Sequence, residues 1–119
     1  MKKKWKFFRL SEFECPCCGE NHINPELIDI LDNLRGLYGK PIVINSGYRC
    51  QKRNAQLGGS PSSAHLFGDA VDIRINSSSE RFELLSWIFA QNFKRIGIGK
   101  NFIHIDINQN LDQRVSWVY

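Results

Sequence analysis

Leu27, Ile30, Leu31 and Leu34 recur three and four residues apart behind Asn24-Pro25-Glu26, and Gly39 follows. This spacing predicts an amphipathic helix with an asparagine cap, a proline in its first turn and a glycine stop. Ser77-Ser78-Ser79-Glu80 has the pattern of a capping box. It predicts a second helix with Phe82, Leu85, Ile88 and Phe89 on its buried face and Lys94 and Arg95 at its C-terminal end. A short helix fits Gln51 to Leu57, closed by Gly58-Gly59, and Ser60-Pro61-Ser62-Ser63 continues as loop. Strand patterns lie between these helices. Ile42-Val43-Ile44-Asn45 reads as a buried strand ending at Ser46-Gly47. Val71, Ile73 and Ile75 alternate with Ala70, Asp72 and Arg74, and Ile103, Ile105 and Ile107 alternate with Phe102, His104 and Asp106. Ile96 to Gly99 and Phe102 to Ile107 predict a hairpin, and Val115 to Tyr119 a last strand. Helices and mainly antiparallel strands in irregular order define an α+β domain with a central sheet flanked by helices.

The alternation carries chemistry. It turns the branched residues toward a core and Asp72, His104 and Asp106 the other way. If the two strands are neighbours, Asp72 and His104 converge, and the loop containing Gly68 brings His65 in from the side. Two imidazoles and a carboxylate are what an open zinc site needs, with a fourth position left for water. The plain alternative is a hydrogen-bonded structural histidine and an aspartate capping a turn, and for His65 alone that alternative is the better one. Three ligand types together, the shared face and the glycine and serine around His65 favour the metal.

Composition bounds the reading. With 119 residues and 42% hydrophobic content the chain suits one domain over 1–119, residues 1–10 forming a basic N-terminal segment. Much of the net charge of +4 sits in Lys2-Lys3-Lys4 and Lys6, read as a solvated tail. Trp5-Lys6-Phe7-Phe8-Arg9-Leu10 is interrupted by charge, so no signal peptide is expected, and no stretch approaches a membrane span. Cys15-Pro16-Cys17-Cys18-Gly19 and Cys50 leave three outcomes open. They are a structural metal on Cys15, Cys18 and Cys50 with Cys17 or His22, a disulfide between Cys50 and an N-terminal cysteine, or buried free thiols.

Ser63-x-His65-x-x-Gly68-x-Ala70-x-Asp72, preceded by Ser46-Gly47-Tyr48-Arg49 and followed by His104-x-Asp106, resembles the zinc D-alanyl-D-alanine carboxypeptidase family of the hedgehog/DD-peptidase superfamily. The resemblance runs from about Phe13 to Tyr119. It implies a Zn2+ metallopeptidase that cuts peptide bonds in peptidoglycan peptides, with His65, Asp72 and His104 as zinc ligands. It places Arg49 in the active site as the group stabilising the oxyanion, against a surface salt bridge or phosphate contact. Ser63 is expected to orient substrate, or equally to shape its turn. Several relatives carry a carboxylate three residues before the last zinc histidine. Asn101 stands there in this chain and cannot accept a proton. Asp106 is the substitute base, or else the partner that orients a ligand histidine.

The expected partner is therefore a peptidoglycan peptide met by a monomer, with no nucleic acid and no membrane. Without a signal peptide, a wall enzyme of this kind is exported by another route, released by lysis as phage enzymes are, or carried on a virion, and an endolysin-like, phage-derived or prophage product is the expectation. Two rivals belong to other classes. A non-catalytic zinc-binding cell-wall recognition module would keep the ligands and tolerate loss of the base. A nucleic-acid-binding zinc protein fits less well, since the aromatic residues fall mostly on apolar faces and no helix carries a basic stripe.

Overall fold

The computed structural model describes residues 5–119, so the Lys2-Lys3-Lys4 run lies outside the described residues. Three helices, α1 (Pro25–Tyr38), α2 (Gln51–Gln56) and α3 (Ser78–Ala90), accompany five strands. These are β1 (Ile44–Ser46), β2 (Ala70–Arg74), β3 (Arg95–Ile98), β4 (Phe102–Asp106) and β5 (Val115–Val118). Single 3-10 turns form at Leu10–Phe13 and Ala64–Phe67. The strands make one sheet in the order β1-β2-β4-β3-β5, antiparallel except for the parallel pair β3–β5. The α+β class is as expected.

Helix α1 starts where Asn24 accepts a hydrogen bond from the Glu26 amide and ends at Gly39, whose φ of 77° is left-handed. Leu27, Ile28, Leu31 and Leu34 are wholly buried against Val71, Ile73, Ile96, Ile103 and Ile105 of the sheet and Leu84 and Ile88 of α3. Burial of each large aliphatic side chain contributes about 1.5–3 kcal/mol. The core therefore occupies one face of the sheet, and the opposite face is left for polar side chains.

Four local expectations are corrected. Ser77 does cap α3 through the Glu80 amide, but the buried face is Leu84 and Ile88, while Phe82 and Phe89 are exposed. Lys94 and Arg95 lie beyond that helix, and Arg95 opens β3. Ile42–Asn45 is not a buried strand: β1 begins at Ile44 on the sheet edge, and Val43 is exposed. Finally, residues 5–8 are docked rather than a free tail. Trp5 donates to Asp29, the Phe7 amide donates to Asp32, and Phe8 is buried.

Candidate metal centre

Strand register assembles the site. Ser46 faces Asp72, Asp72 faces His104, His104 faces Gly97 and Gly97 faces Trp117, giving one row across all five strands. Directly opposed residues share a face, so Asp72 and His104 project side by side. His65 reaches them from the 3-10 turn Ala64–Phe67, where the Ser63 hydroxyl accepts from the His65 amide. One ligand atom from each of His65, Asp72 and His104 lies within 4.8 Å of the other two. All three residues are buried.

The protons in this cluster face outward. His65 Nδ1 donates to the Gly47 carbonyl at 2.7 Å, and His104 Nε2 donates to Asp106 Oδ2 at 2.7 Å. Each imidazole therefore turns its other nitrogen inward. His65 Nε2 lies 3.3 Å and His104 Nδ1 3.0 Å from the same oxygen, Asp72 Oδ1. Two neutral imidazoles would present lone pairs to a carboxylate lone pair, an arrangement that a cation resolves. Two nitrogens and one oxygen on a rigid scaffold fit zinc.

The electrostatics agree. Burial opposes the Asp72 charge, yet bonds from His104 and His65 outweigh it and hold the carboxyl well below the usual range. Burial lowers the His65 pKa and keeps that ring neutral. At His104 burial also acts downward, but Asp106 and Asp72 win and raise the pKa above the ordinary histidine value. Below that raised pKa, zinc entering the site must then displace a proton from His104. Zinc affinity is expected to fall by about tenfold per pH unit below the raised His104 pKa and to level off above it. Competition titration with a chelator across a pH series checks this, and a flat profile through the histidine range would contradict it.

The Ser46–Arg49 segment braces two of the three clustered side chains. Gly47 holds His65, and Arg49 Nη2 pairs with Asp72 Oδ2 at 2.8 Å. Arg49 is itself fixed by Ser46 Oγ at 2.9 Å and Asn54 Oδ1 at 3.3 Å. Gly47 is required by close packing, since a Cβ there would meet the Phe13 carbonyl at 2.7 Å. Asp106 is 1% exposed, and its Oδ1 accepts from Arg95 Nε at 2.8 Å and the Asn108 amide at 3.2 Å. Asn101 is exposed in the turn before β4, its carbonyl accepting from the Ile75 amide. It does not line the cleft.

The cluster opens into a cleft of about 700 Å³ lined by Arg49, Arg53, Ser63, Arg95, Trp117 and Tyr119 among others. Trp117 and Tyr119 were not singled out from the sequence. Trp117 stacks near His104 with ring centroids 5.3 Å apart, and Tyr119 packs on Phe102 at 4.8 Å. Their signal was the spacing of two in the last strand together with Gly97, where a Cβ would meet the Trp117 ring at 2.6 Å. Arg53 Nε is buried with no hydrogen-bond partner among the described residues.

The fold is a small α+β domain, and beside its sheet His65, Asp72 and His104 form a candidate three-ligand metal site open to a cleft, as an open catalytic site would be. A family model described as Peptidase M15 matches residues 7–106. The chain belongs to this family, whose members are zinc peptidases acting on cell-wall peptides. No curated protein matches the chain significantly.

Proposed function

We propose that the chain hydrolyses peptidoglycan stem peptides at a bond to a terminal D-alanine, with His65, Asp72 and His104 as its zinc ligands. The observation that carries this reading is the convergence of two inward lone pairs and one carboxylate oxygen at the floor of a cleft large enough for a short peptide. The bound ion would acidify water and polarise the scissile carbonyl. The remaining work falls to the chain. Arg49, held by Asp72 and Ser46, presents its charge beside the position of the developing oxyanion. Arg53, which lines the cleft and whose Nε has no hydrogen-bond partner among the described residues, favours carboxypeptidase over endopeptidase action, because a guanidinium there suits the free carboxylate of a terminal residue. Ser63 shapes the His65 turn, its hydroxyl being engaged with the His65 amide.

Asp106 acts as a positioning residue rather than as the base. Both of its oxygens are taken, and its side chain has no exposed surface from which to deprotonate water. Its carboxylate fixes the His104 tautomer, a role typically worth 10–100-fold in metal affinity. The other reading is a zinc-binding recognition module, favoured by one observation: the carboxylates lining the cleft, Asp72 and Asp106, are both committed.

Mass spectrometry of purified peptidoglycan and its stem peptides, incubated with zinc-loaded protein, tests all of this. Released D-alanine that is absent with His65→Ala is the expected result. Internal cleavage would replace the carboxypeptidase by an endopeptidase, and an unchanged digest with zinc bound would establish the recognition module. Asp106→Asn is expected to regain most of its turnover in excess zinc. A turnover number that stays low at saturating zinc would restore Asp106 as the base.

A further inference from the structure

Cys15, Cys18 and Cys50 come from two separate stretches of chain, yet one sulfur from each lies within 4.8 Å of the other two. Cys15 Sγ is 3.6 Å from Cys50 Sγ. Two sulfurs bound to one tetrahedral zinc at about 2.3 Å stand roughly 3.8 Å apart, whereas disulfide sulfurs are bonded at about 2.05 Å. The separation matches two ligands of one ion, and three sulfurs meet where a disulfide would use two. We propose that Cys15, Cys18 and Cys50 hold a structural zinc ion, with Cys17 as the fourth ligand.

The backbone around these thiols is built to support thiolates. Gly19 takes a left-handed φ of 72°, its amide donates to the Cys15 carbonyl, and the Cys15 amide donates to the Glu20 carbonyl. This tight knuckle turns Cys18 back toward Cys15, and Cys17, outside the trio, is the adjacent thiol available to complete the set. The amides of Cys50, Cys18 and Cys17 are directed at Cys15 Sγ, Cys50 N standing at 3.5 Å. The Arg53 amide lies 3.4 Å from Cys50 Sγ. Hydrogen bonds of this kind favour the charged form of sulfur. Burial acts against ionisation of Cys15, but the three amides prevail and bring its thiol down to about 7. The Glu20 amide acts downward on Cys18, but the neighbouring thiols of Cys15 and Cys50 help to push it up to about 11.

The consequence reaches the catalytic side. Cys50 directly follows Arg49, and the Tyr48 amide donates to the Phe13 carbonyl at 2.8 Å. An ion on the four thiols staples the N-terminal segment to the turn that carries both Arg49 and the Gly47 carbonyl facing His65. The site stands on its own residues, so its test is independent of the peptidase reading.

His104→Ala protein, which removes a ligand of the other centre, is purified, dialysed and assayed for zinc by elemental mass spectrometry. One tightly held zinc per chain is expected, released by an organomercurial thiol reagent and lost when Cys18→Ser is added. Cys18 is exposed, so this change spares the core. Cobalt reconstitution of the His104→Ala protein should give thiolate-to-cobalt charge-transfer absorption and the visible bands of a tetrahedral ion. Absence of metal with four thiols titrating under denaturing conditions would overturn the proposal in favour of free cysteines. Absence of metal with two thiols missing would overturn it in favour of a Cys15–Cys50 disulfide.

Discussion

Asp72→Ala protein is expected to bind no zinc at the His65–His104 centre, to release no product from stem peptides, and to lose roughly 3–5 kcal/mol of stability. One carboxylate serves three partners. Its Oδ1 faces both imidazoles, and its Oδ2 takes the Arg49 guanidinium. Removing it leaves two neutral nitrogen ligands, too few for an open zinc site. It also leaves the Arg49 charge, 11% exposed, with only the neutral oxygens of Ser46 and Asn54. Burying an unpaired charge is the costly outcome, more costly than the net worth of the pair itself. Asp72→Asn separates the two effects, since it keeps the shape and an acceptor for Arg49 while losing the anionic ligand.

The pH dependence of the Asp72 contribution follows from the sign of the shift. The folded carboxyl lies below its unfolded value of about 3.9, so its stabilisation is complete above that value and is lost as pH falls below it toward the folded pKa. The part of the stability gap between the parent protein and Asp72→Ala that comes from ionisation of Asp72 should thus close only in strong acid, while the part Asp72 lends to the His104 imidazolium is lost as pH rises through the raised His104 pKa. Isothermal titration with zinc and denaturant unfolding give the two readouts. Unaltered zinc affinity in Asp72→Ala would remove this carboxylate from the ligand set.

Much of this centre was legible because strand alternation is a local property. A period of two places Asp72 and His104 opposite the isoleucines whatever the partners are, so the face follows from the chain itself. The register that sets Asp72 directly against His104 belongs to the paired strands and had to be seen. The same limit explains Trp117 and Tyr119. A last strand was readable, but its parallel pairing with β3 carries Trp117 beside Gly97 and over His104, and that is a long-range choice. In α3 the apolar residues Phe82, Leu84, Leu85, Trp87, Ile88 and Phe89 surround much of the helix. Such a wide pattern does not select one stripe, and packing against α1 and the sheet selected Leu84 and Ile88. Helix α1 has one narrow stripe with clear caps, and its bounds were readable to the residue. The role of Asp106 turns on which groups occupy its two oxygens. Arg95 and Asn108 supply part of that answer from outside the His104-x-Asp106 motif.

Gly68→Ala should be the most damaging change outside the proposed metal ligands. Gly68 has a φ of 73°, a conformation that costs an ordinary residue about 1–2 kcal/mol. A Cβ at this position would also stand 1.8 Å from the His22 carbonyl oxygen. Backbone cannot rotate away as a side chain can, so the turn itself must move. That turn is tied at both ends. The Gly68 carbonyl accepts from the Asn24 amide at 2.8 Å, just before α1, and the Gly68 amide donates to the His65 carbonyl at 3.3 Å. A shift of the turn therefore displaces His65 relative to Asp72 and His104, whose positions are set by the sheet. A total loss of roughly 4 kcal/mol is expected, which for a domain of this size lowers the melting temperature by about 10 °C or more. Zinc affinity should fall with it, since the ligand that moves is the only one of the three not anchored in a strand. Phe67→Ala, an exposed change at the adjacent position, is the control and should leave both quantities near those of the parent. Calorimetry and zinc titration of the two variants decide the matter. A Gly68→Ala protein that melts like the parent but has lost zinc would show that the turn yields without cost to the fold. A protein destabilised but still binding zinc normally would show that His65 is held by Gly47 and Ser63 independently of the turn behind it.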